Sequence, residues 1–524
     1  MLRKRLIFWS KLAAICCAVA LCVNAAGTLL SGGDDIVRNA SALPSLPRDS
    51  VDVFWLGTSH MHYNVIPQLL YDEYGITSTM VSGNSIDLTA SYWQLRQALL
   101  TQSPQVVVLD VYPAAAPYCY FYVQNVLAMR SRENMPEGSN PHITSSALAR
   151  WLPVGSPFKA AAIKDAYDVS YAEGENYFGI TRFHSRYSDL GRQHFRALEG
   201  SERLSHSFGY LYGDYTLDQS KVSIRPYSPE AAMEANEEGT YWTFTDEQLA
   251  EVQLMQQVTD ELQRIIDFTK RKGIQLVLCA APYQTNAAEE LLFEQVGKLA
   301  EANGIAFVGL NDTPANDPAY FRDLGHLNDE GARIFTSFWG DWLTGHYDLA
   351  DRRESTDARY APWRERAGSH NLQTAGMQLN AFDGGLTGYL EELSSFDRDH
   401  MLLFTATGDV FDGFTEDDYW LLVDGLGVAE EALEDWYYTG CGTLDLLLYD
   451  GEFIFSQYEP DGRDYDITRN VQGYDVQFGT GRWRVNGVSA GNIETGMSIS
   501  VYSLLDDRML DYRAFDLMEM YFDE

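Results

Sequence analysis

The stretch Asp52–His62, DVFWLGTSHMH, indicates a strand followed by a turn and raises the main chemical question of the chain. Val51 to Leu56 is an apolar, strand-forming run, and the glycine after it predicts the end of a short buried strand. Two hydroxyl residues and two histidines follow, which is not the composition of an ordinary polar turn. Acyl-transfer nucleophiles are presented as a serine on a tight turn after a strand, so the stretch indicates a candidate catalytic turn.

The segments after this strand alternate between helical and strand patterns. PQLLYDEYG from Pro67 and SYWQLRQALL from Ser91 predict helices, whereas TSTMV from Thr77 and QVVVLDVY from Gln105 predict strands. The last of these is continuously apolar and β-branched, which is typical of a parallel strand covered on both faces. Strand, helix, strand, helix, strand is the order of a doubly wound α/β domain.

The same pattern returns after an irregular segment. Residues 113–245 are rich in Tyr, Ser and Gly with weak periodicity, and we interpret them as an insertion with a few helices. Thr245 then caps a long amphipathic helix predicted to reach Lys272, and IQLVLCAAP follows as a buried strand. A further helix and the strand IAFVGL complete an α/β domain predicted over 51–345.

The remaining segments differ in composition. Residues 1–30 combine a basic start with a run from Leu12 to Leu30 that has no charged residue, which predicts a membrane anchor or a cleaved signal peptide. We favour the anchor; both alternatives place the rest of the chain outside the cytoplasmic membrane. Residues 31–50 form a polar spacer, and the charge-dense residues 346–371 suit a linker. Short strands with glycine-rich turns, and helices near Glu391 and Ala429, predict a β-rich, sandwich-like domain over 372–524.

Charge and cysteine content exclude several function classes. The chain has 38 basic and 75 acidic residues, a net charge of -37, so nucleic acid is a poor partner. Beyond the N-terminal segment only Cys119, Cys279 and Cys441 remain, widely spaced, which predicts neither a disulfide framework nor a zinc site.

A possible base and its orienting acid appear far from the candidate nucleophile. Asp323 and His326 stand in DLGH, followed by LNDEGARIF, a pattern typical of a loop entering a helix. Because Asp323 and His326 are three residues apart, one turn can present both side chains on the same side of the loop. The acid can then hold the imidazole toward Ser59, which completes a Ser-His-Asp arrangement.

These two motifs, GTSH after an early strand and D-x-x-H-L-N-x-x-G-A near the end of the domain, closely resemble the first and last motif blocks of the SGNH (GDSL-like) hydrolase superfamily. The resemblance covers about Val51 to Trp342. It looks most like the membrane-anchored branch that includes the alginate O-acetyltransferases and the D-alanyl-lipoteichoic acid transfer proteins. It implies a flavodoxin-like three-layer α/β/α fold with a parallel sheet, and the triad Ser59, Asp323 and His326.

The resemblance also implies an oxyanion hole made by the nucleophile's own N–H, a glycine and an asparagine. Ser59 and Gly83 fit the first two positions. The asparagine block after the third strand is absent, because Leu109–Tyr112 reads LDVY; Asn84 is the substitute that we suggest from the glycine loop.

Four neighbouring residues have open roles. His60 and His62 resemble a two-histidine metal pair on a strand, but without a third ligand we favour structural or substrate-facing roles. Asp110 ends a strand where α/β sheets place ligands, although a capping role is as plausible. Tyr112 either stacks on a sugar ring or packs against the core.

The C-terminal region carries a second resemblance. RWRVNGVSAGNIETGMSISVYSLLDDRMLDYRAFD, Arg482 to Asp516, is similar to the end of the interleukin-like domain of the interleukin-like EMT inducer family. DHMLLFTATGD from Asp399 matches the same domain's middle. The resemblance implies carbohydrate or partner binding; the alternative is a generic β-sandwich.

Taken with the resemblances, the sequence predicts an extracytoplasmic SGNH-type O-acyltransferase, with acetyl as the favoured group, that modifies a cell-envelope or extracellular polysaccharide through a serine acyl-enzyme. It needs no cofactor, and a transferase would require a partner that supplies the acyl donor, such as a multi-pass membrane O-acyltransferase. The alternatives are a carbohydrate esterase with the same triad and a non-catalytic glycan-binding surface scaffold.

Overall fold

The structure is a computed structural model that describes residues 2–31, 43, 46–83, 86–115, 152, 155–166, 208–211, 213, 216–228, 240–394, 396, 400–408, 413–461, 465–479, 482–492, 496–504 and 508–515. The chain divides into two units, Met1–Ala367 and Gly368–Glu524. Each unit has its own buried apolar clusters.

A parallel sheet forms the centre of the first unit. The described strands of this unit are β1 Val53–Gly57, β2 Ser78–Ser82, β3 Val106–Asp110, β4 Ser223–Pro226, β5 Thr240–Thr243, β6 Gln275–Cys279 and β7 Ala306–Val308. Five of them pair in the order β2-β1-β3-β6-β7, all parallel, while β4 and β5 form a separate parallel pair. The predicted α/β class with a parallel sheet is confirmed.

Helices cover both faces of this sheet. The described helices are α1 Leu2–Ser31, α2 Ser59–Asn64, α3 Pro67–Tyr74, α4 Leu88–Ala98, α5 Lys159–Ala166, α6 Asp246–Ala250, α7 Gln256–Lys272, α8 Ala287–Ala302, α9 Asp329–His346 and α10 Ala361–Arg364. Alternate strand residues separate the two faces: Phe54 packs with α4, α7 and α8, and Trp55 packs with α3 and α9. The apolar β-branched strands are therefore buried on both sides, as parallel strands require.

None of the helices that the structure describes is both long and apolar enough to cross a bilayer.

The single helix predicted from Thr245 to Lys272 is wrong, because the chain leaves the helix between α6 and α7. Thr245 does cap α6, and Gly273 ends α7 in the left-handed conformation. At the break, the Gln295 side chain accepts a hydrogen bond from the Leu254 N–H and donates one to the Val252 carbonyl, at 3.0 and 3.1 Å. A side chain of α8 thus replaces the intrahelical partners of the broken turn.

Most of the segment predicted as a linker, 346–371, packs on the first unit. Trp363 is completely buried, stacks on Phe208 with 4.7 Å between ring centroids, and donates its Nε1–H to the Ser78 carbonyl at 3.2 Å. Arg352 forms an ion pair with Asp52 at 3.0 Å. This segment therefore contains a buried aromatic side chain as well as charged residues. The boundary between the units falls after Ala367.

The second unit is β-rich, as predicted. Its described strands are β8 His400–Thr407, β9 Thr443–Tyr449, β10 Glu452–Glu459, β11 Asp466–Val471, β12 Tyr474–Gly479, β13 Arg482–Val485, β14 Val488–Asn492, β15 Gly496–Ser503 and β16 Arg508–Phe515. They form two antiparallel sheets, in the orders β10-β9-β8-β15-β16 and β11-β12-β13-β14.

One face of the larger sheet packs against helices and the other against the smaller sheet. The described helices are α11 Ser369–Ala381, α12 Leu386–Ser394, α13 Glu416–Trp420 and α14 Glu430–Thr439. Leu402 and Phe404 of β8 face the helices, whereas Met401 and Leu403 face the smaller sheet. The two-residue alternation of a strand thus supplies both cores.

Candidate active site

The nucleophile candidate lies where the central strand β1 turns directly into helix α2. Ser59 is the first residue of α2, and Thr58 caps the helix by accepting the His60 N–H at 3.4 Å. The Thr58 hydroxyl donates to Oδ2 of Asp110 at 2.6 Å, which ties the turn to the end of the adjacent strand β3. Ser59 is half-buried, so its hydroxyl stays accessible at the carboxyl edge of the sheet.

The base and acid candidates lie in residues 321–327, a short loop within the longer connection from β7 to α9. The backbone closes this loop by a bridge between Phe321 and Leu327 and by the Arg322 N–H, which donates to the His326 carbonyl at 3.0 Å. Within it, the Gly325 N–H donates to Oδ1 of Asp323 at 2.8 Å. The loop backbone therefore helps to hold the carboxylate that contacts the His326 side chain.

Ser59, His326 and Asp323 form a continuous hydrogen-bonded chain. Nε2 of His326 lies 2.9 Å from Oγ of Ser59, and its Nδ1 lies 2.9 and 3.0 Å from the two carboxylate oxygens of Asp323. Because a carboxylate only accepts, Nδ1 carries the proton, and the neutral ring leaves Nε2 free to accept from the serine hydroxyl. The three residues predicted as a triad are thus brought together in the geometry that proton transfer needs.

The surroundings favour the protonation states of a working base. Burial lowers the pKa of His326 below its ordinary value of 6.5, although Asp323 acts in the opposite direction through its hydrogen bond and charge. Burial by itself would raise the pKa of Asp323, but His326, the Gly325 N–H and Arg322 together bring it below its ordinary value of 3.8. At neutral pH the imidazole is therefore uncharged and the carboxyl group ionised.

Asn64 was not predicted, yet it connects the nucleophile helix to the base loop. Its buried amide donates from Nδ2 to the Pro282 carbonyl at 2.9 Å and accepts at Oδ1 from the Leu327 N–H at 3.1 Å. Leu327 follows His326 directly. The only local signal was an asparagine at the end of the helix that begins with Ser59, and such a residue is ordinarily a cap.

The predicted oxyanion donors are only partly available. The Ser59 N–H lies in the first turn of α2, where backbone donors have no intrahelical acceptor. The Gly83 N–H, by contrast, donates to the Gly57 carbonyl at 3.1 Å and so continues the sheet pairing of β1 and β2. Asn84 lies outside the described residues.

His60 and His62 point in different directions because the segment that carries them is helical, not extended. Residues two apart on a helix are about 200° apart around its axis. His62 is completely buried, with Nδ1 donating to the Gly209 carbonyl at 2.6 Å and Nε2 3.0 Å from the Ser82 hydroxyl. His60 instead packs against the His326 ring. The structure thus separates the histidine pair and gives His62 a place in the fold.

Asp110 and Tyr112 support the site from the next strand. Asp110 is completely buried and accepts the Tyr112 N–H at 3.0 Å as well as the Thr58 hydroxyl. These hydrogen bonds give Asp110 a structural role at the end of β3. The half-buried Tyr112 ring packs on His60 and Tyr283, with centroids 4.1 and 5.0 Å apart.

Among the residues that the structure describes, no group of three or more His, Cys, Asp and Glu side chains is arranged to hold a metal ion.

Neither the comparison with protein-family models nor the comparison with curated proteins finds a match for this chain.

Proposed function

We propose that the chain is an SGNH-type serine O-acyltransferase that acts on a cell-envelope or extracellular polysaccharide, with acetyl as the transferred group. The observation that carries the proposal is the chain of hydrogen bonds from Ser59 through His326 to Asp323, at 2.9 Å on each side of the imidazole. The strand order β2-β1-β3-β6-β7 supports it, since this is the order 2-1-3-4-5 of flavodoxin-like sheets. In such sheets ligands bind at the carboxyl ends of the strands, where Ser59 lies.

In the proposed reaction, Oγ of Ser59 attacks the acyl carbon of the donor while Nε2 of His326 takes the hydroxyl proton. The tetrahedral oxyanion is stabilised by the Ser59 N–H at the start of α2. The donor's alcohol then leaves with the proton from His326, and the acyl group stays on Ser59. A sugar hydroxyl repeats the steps in reverse and carries the acyl group away, while Asp323 keeps the imidazole oriented throughout.

The same triad also serves an esterase, because water can resolve the acyl-enzyme in place of a sugar hydroxyl. In our proposal the N-terminal segment anchors the chain to the cytoplasmic membrane with its bulk outside, a multi-pass O-acyltransferase supplies the donor, and the β-rich unit binds a glycan or a partner. These assignments rest on the sequence patterns of residues 1–30 and 372–524.

The test is to treat the full-length chain with an activated acetyl ester or a fluorophosphonate and to measure intact mass. We expect one adduct on Ser59 that is absent in Ser59→Ala and kept in Ser220→Ala, whose serine is exposed and remote in sequence. Failure of the wild-type protein to form an adduct would contradict the proposal and favour a glycan-binding scaffold.

A second measurement separates transferase from esterase. Cells that lack the protein, or that carry only Ser59→Ala, are compared with wild type for polysaccharide acetylation by mass spectrometry. Loss of acetyl groups is expected for a transferase, whereas a gain would identify the esterase.

A further inference from the structure

His60 lies directly behind the triad and is almost completely buried. Its side chain is 2% exposed, although it follows the half-buried Ser59 in the chain. Its ring packs edge-on against Tyr112, with centroids 4.1 Å apart, and stacks on Tyr283 at 5.0 Å. The ring of His326 is 5.5 Å away and close to perpendicular. The imidazole that serves as the base therefore has a second imidazole as its neighbour.

The Nδ1 atom of His60 faces a buried carboxylate. It lies 3.5 Å from Oδ2 of Asp110 and has no hydrogen-bond partner among the described residues. A buried carboxylate is costly unless hydrogen bonds and a positive group compensate it. Thr58 and Tyr112 supply hydrogen bonds to Asp110, and Nδ1 of His60 is a further polar atom that faces this carboxylate.

Two other ionisable groups that the structure describes on the core side of His60 and Asp110 carry no negative charge at neutral pH. Burial raises the pKa of Glu289, which interacts with the Tyr283 hydroxyl, to about 8, so its carboxyl group is mostly protonated at neutral pH. Burial also raises the pKa of the Cys279 thiol. On the solvent side, His326 faces Asp323, Arg322 and the ring of Tyr63.

We infer that His60 is a positioning residue of the triad: held between Tyr112 and Tyr283 and facing Asp110, it acts on His326 through the edge of its ring and its electrostatic influence. The inference rests on the proposed function, since it assigns His60 to the serine acyl-transfer reaction. Packing against His60 keeps the His326 ring directed at Ser59. The electrostatic influence of His60 opposes protonation of His326 and so acts to lower the pKa of that ring.

The test uses two substitutions in the full-length chain. His60→Phe keeps an aromatic ring between Tyr112 and Tyr283 but removes both nitrogens, and His60→Gln keeps a polar group without a ring. One readout is the pH dependence of the rate at which a fluorophosphonate labels Ser59. The other is the NMR titration of the His326 ring in protein with 13C-labelled histidine, assigned with His326→Gln, which needs no enzymatic activity.

Removing His60 is expected to move the midpoint of both curves upward, because His326 then binds its proton more readily. Full unit charges at the 5.5 Å ring separation set an upper bound of roughly 2 pH units on this shift. His346→Gln, which alters an exposed histidine at the end of α9, is the matched control and should leave both midpoints unchanged.

An unchanged His326 titration in a His60 variant that keeps the wild-type melting temperature would overturn the inference. So would an effect confined to the KM of one ester, which would mean that His60 contacts substrate. Failure of the wild-type protein to label would count against the proposed function, and the NMR titration would still decide the role of His60. If one variant does not fold, the other carries the same test.

Discussion

Asn64 shows how much of the site depends on one buried amide. It holds the nucleophile helix against the loop that carries His326, through the Pro282 carbonyl and the Leu327 N–H. In Asn64→Asp the shape and the acceptor for Leu327 are kept, but an oxygen replaces the amide donor that faces Pro282. We expect a loss on the order of 1–3 kcal/mol in the free energy of unfolding. Misplacement of Ser59 relative to His326 should also slow phosphonate labelling by about tenfold or more.

Urea unfolding and the labelling rate check this prediction on the same samples. Asn371→Asp provides the control, since Asn371 is exposed on α11 and should change neither quantity. Reduced stability with an unaltered labelling rate would mean that Asn64 serves the fold alone and does not align the triad.

The triad residues were predictable because their motifs are local and have a definite chemical meaning. GTSH follows a strand, and Asp323 and His326 share one short loop, so each half of the site could be inferred from neighbouring letters. The hydrogen-bond partners of Asn64 and Gly83 could not be inferred in this way. The acceptor role of Asn64 involves a residue 263 positions away, and the Gly83 N–H bonds to the Gly57 carbonyl of a neighbouring strand. Such partners are fixed by tertiary structure, which no local pattern contains.

At the scale of elements, the turn between β1 and α2 depends on a close approach of two strands. Gly57 has a φ of 140°, and a Cβ there would lie 2.6 Å from Cβ of Asp110. In Gly57→Ala both the backbone strain and the clash must be relieved by moving β1 away from β3. We expect the unfolding free energy to fall by about 2–4 kcal/mol. Loss of the hydrogen bond between Thr58 and Asp110 should accompany this and reduce labelling of Ser59.

Gly345→Ala is the matched substitution for Gly57→Ala. Gly345 lies in the last turn of α9, and a Cβ there would meet nothing within 4 Å, so alanine should be neutral or stabilise the helix slightly. Chemical denaturation of the two variants measures the difference. Equal effects at both positions would refute the role assigned to the close approach at Gly57.

Element boundaries were less predictable than element types. The apolar runs at β1, β3 and β6 identified buried strands because composition alone distinguishes them. HMH after Ser59 offered no such periodicity, and the strand placement in which His60 and His62 resembled a metal pair is wrong because the chain enters α2 at Ser59. The break between α6 and α7 was also missed, since it is stabilised by Gln295, a side chain of another helix.

At the scale of the whole molecule, the two units are built around separate cores and different kinds of sheet. The charge density of residues 346–371 predicted a linker between them, and the division after Ala367 falls inside this segment, although Trp363 within it is completely buried. Separate cores predict that the stability of each unit responds to its own buried groups.

The second unit contains such a group between its two sheets. Asp445 of β9 accepts hydrogen bonds from the hydroxyls of Thr405 and Tyr465, and Nε1 of Trp483 in the smaller sheet donates to Oγ1 of Thr405 at 2.5 Å. Burial raises the pKa of Asp445 from its ordinary 3.8 to about 6, although both hydroxyls act in the opposite direction. The folded unit therefore binds a proton more tightly than the unfolded chain does.

The sign of the resulting pH dependence follows from this difference. A group whose pKa is raised on folding contributes stability that is complete below pH 3.8 and is lost as the pH rises through about 6. The full contribution of Asp445 is on the order of 3 kcal/mol, which corresponds to about 5–10 °C in the melting temperature of a unit of this size. In Asp445→Asn no proton binds, so this part of the pH dependence should disappear.

Calorimetry of the full-length chain at pH 5 and pH 7 measures the effect, with Asp435→Asn as a control that alters an exposed carboxylate of α14. For the second unit, the melting temperature of the wild-type protein minus that of Asp445→Asn should be larger at pH 5 than at pH 7. The transition of the first unit should be identical in both proteins, because Asp445 has no part in its core. A shift of both transitions together would show that the two units unfold as one cooperative body, whatever the separation of their cores suggests.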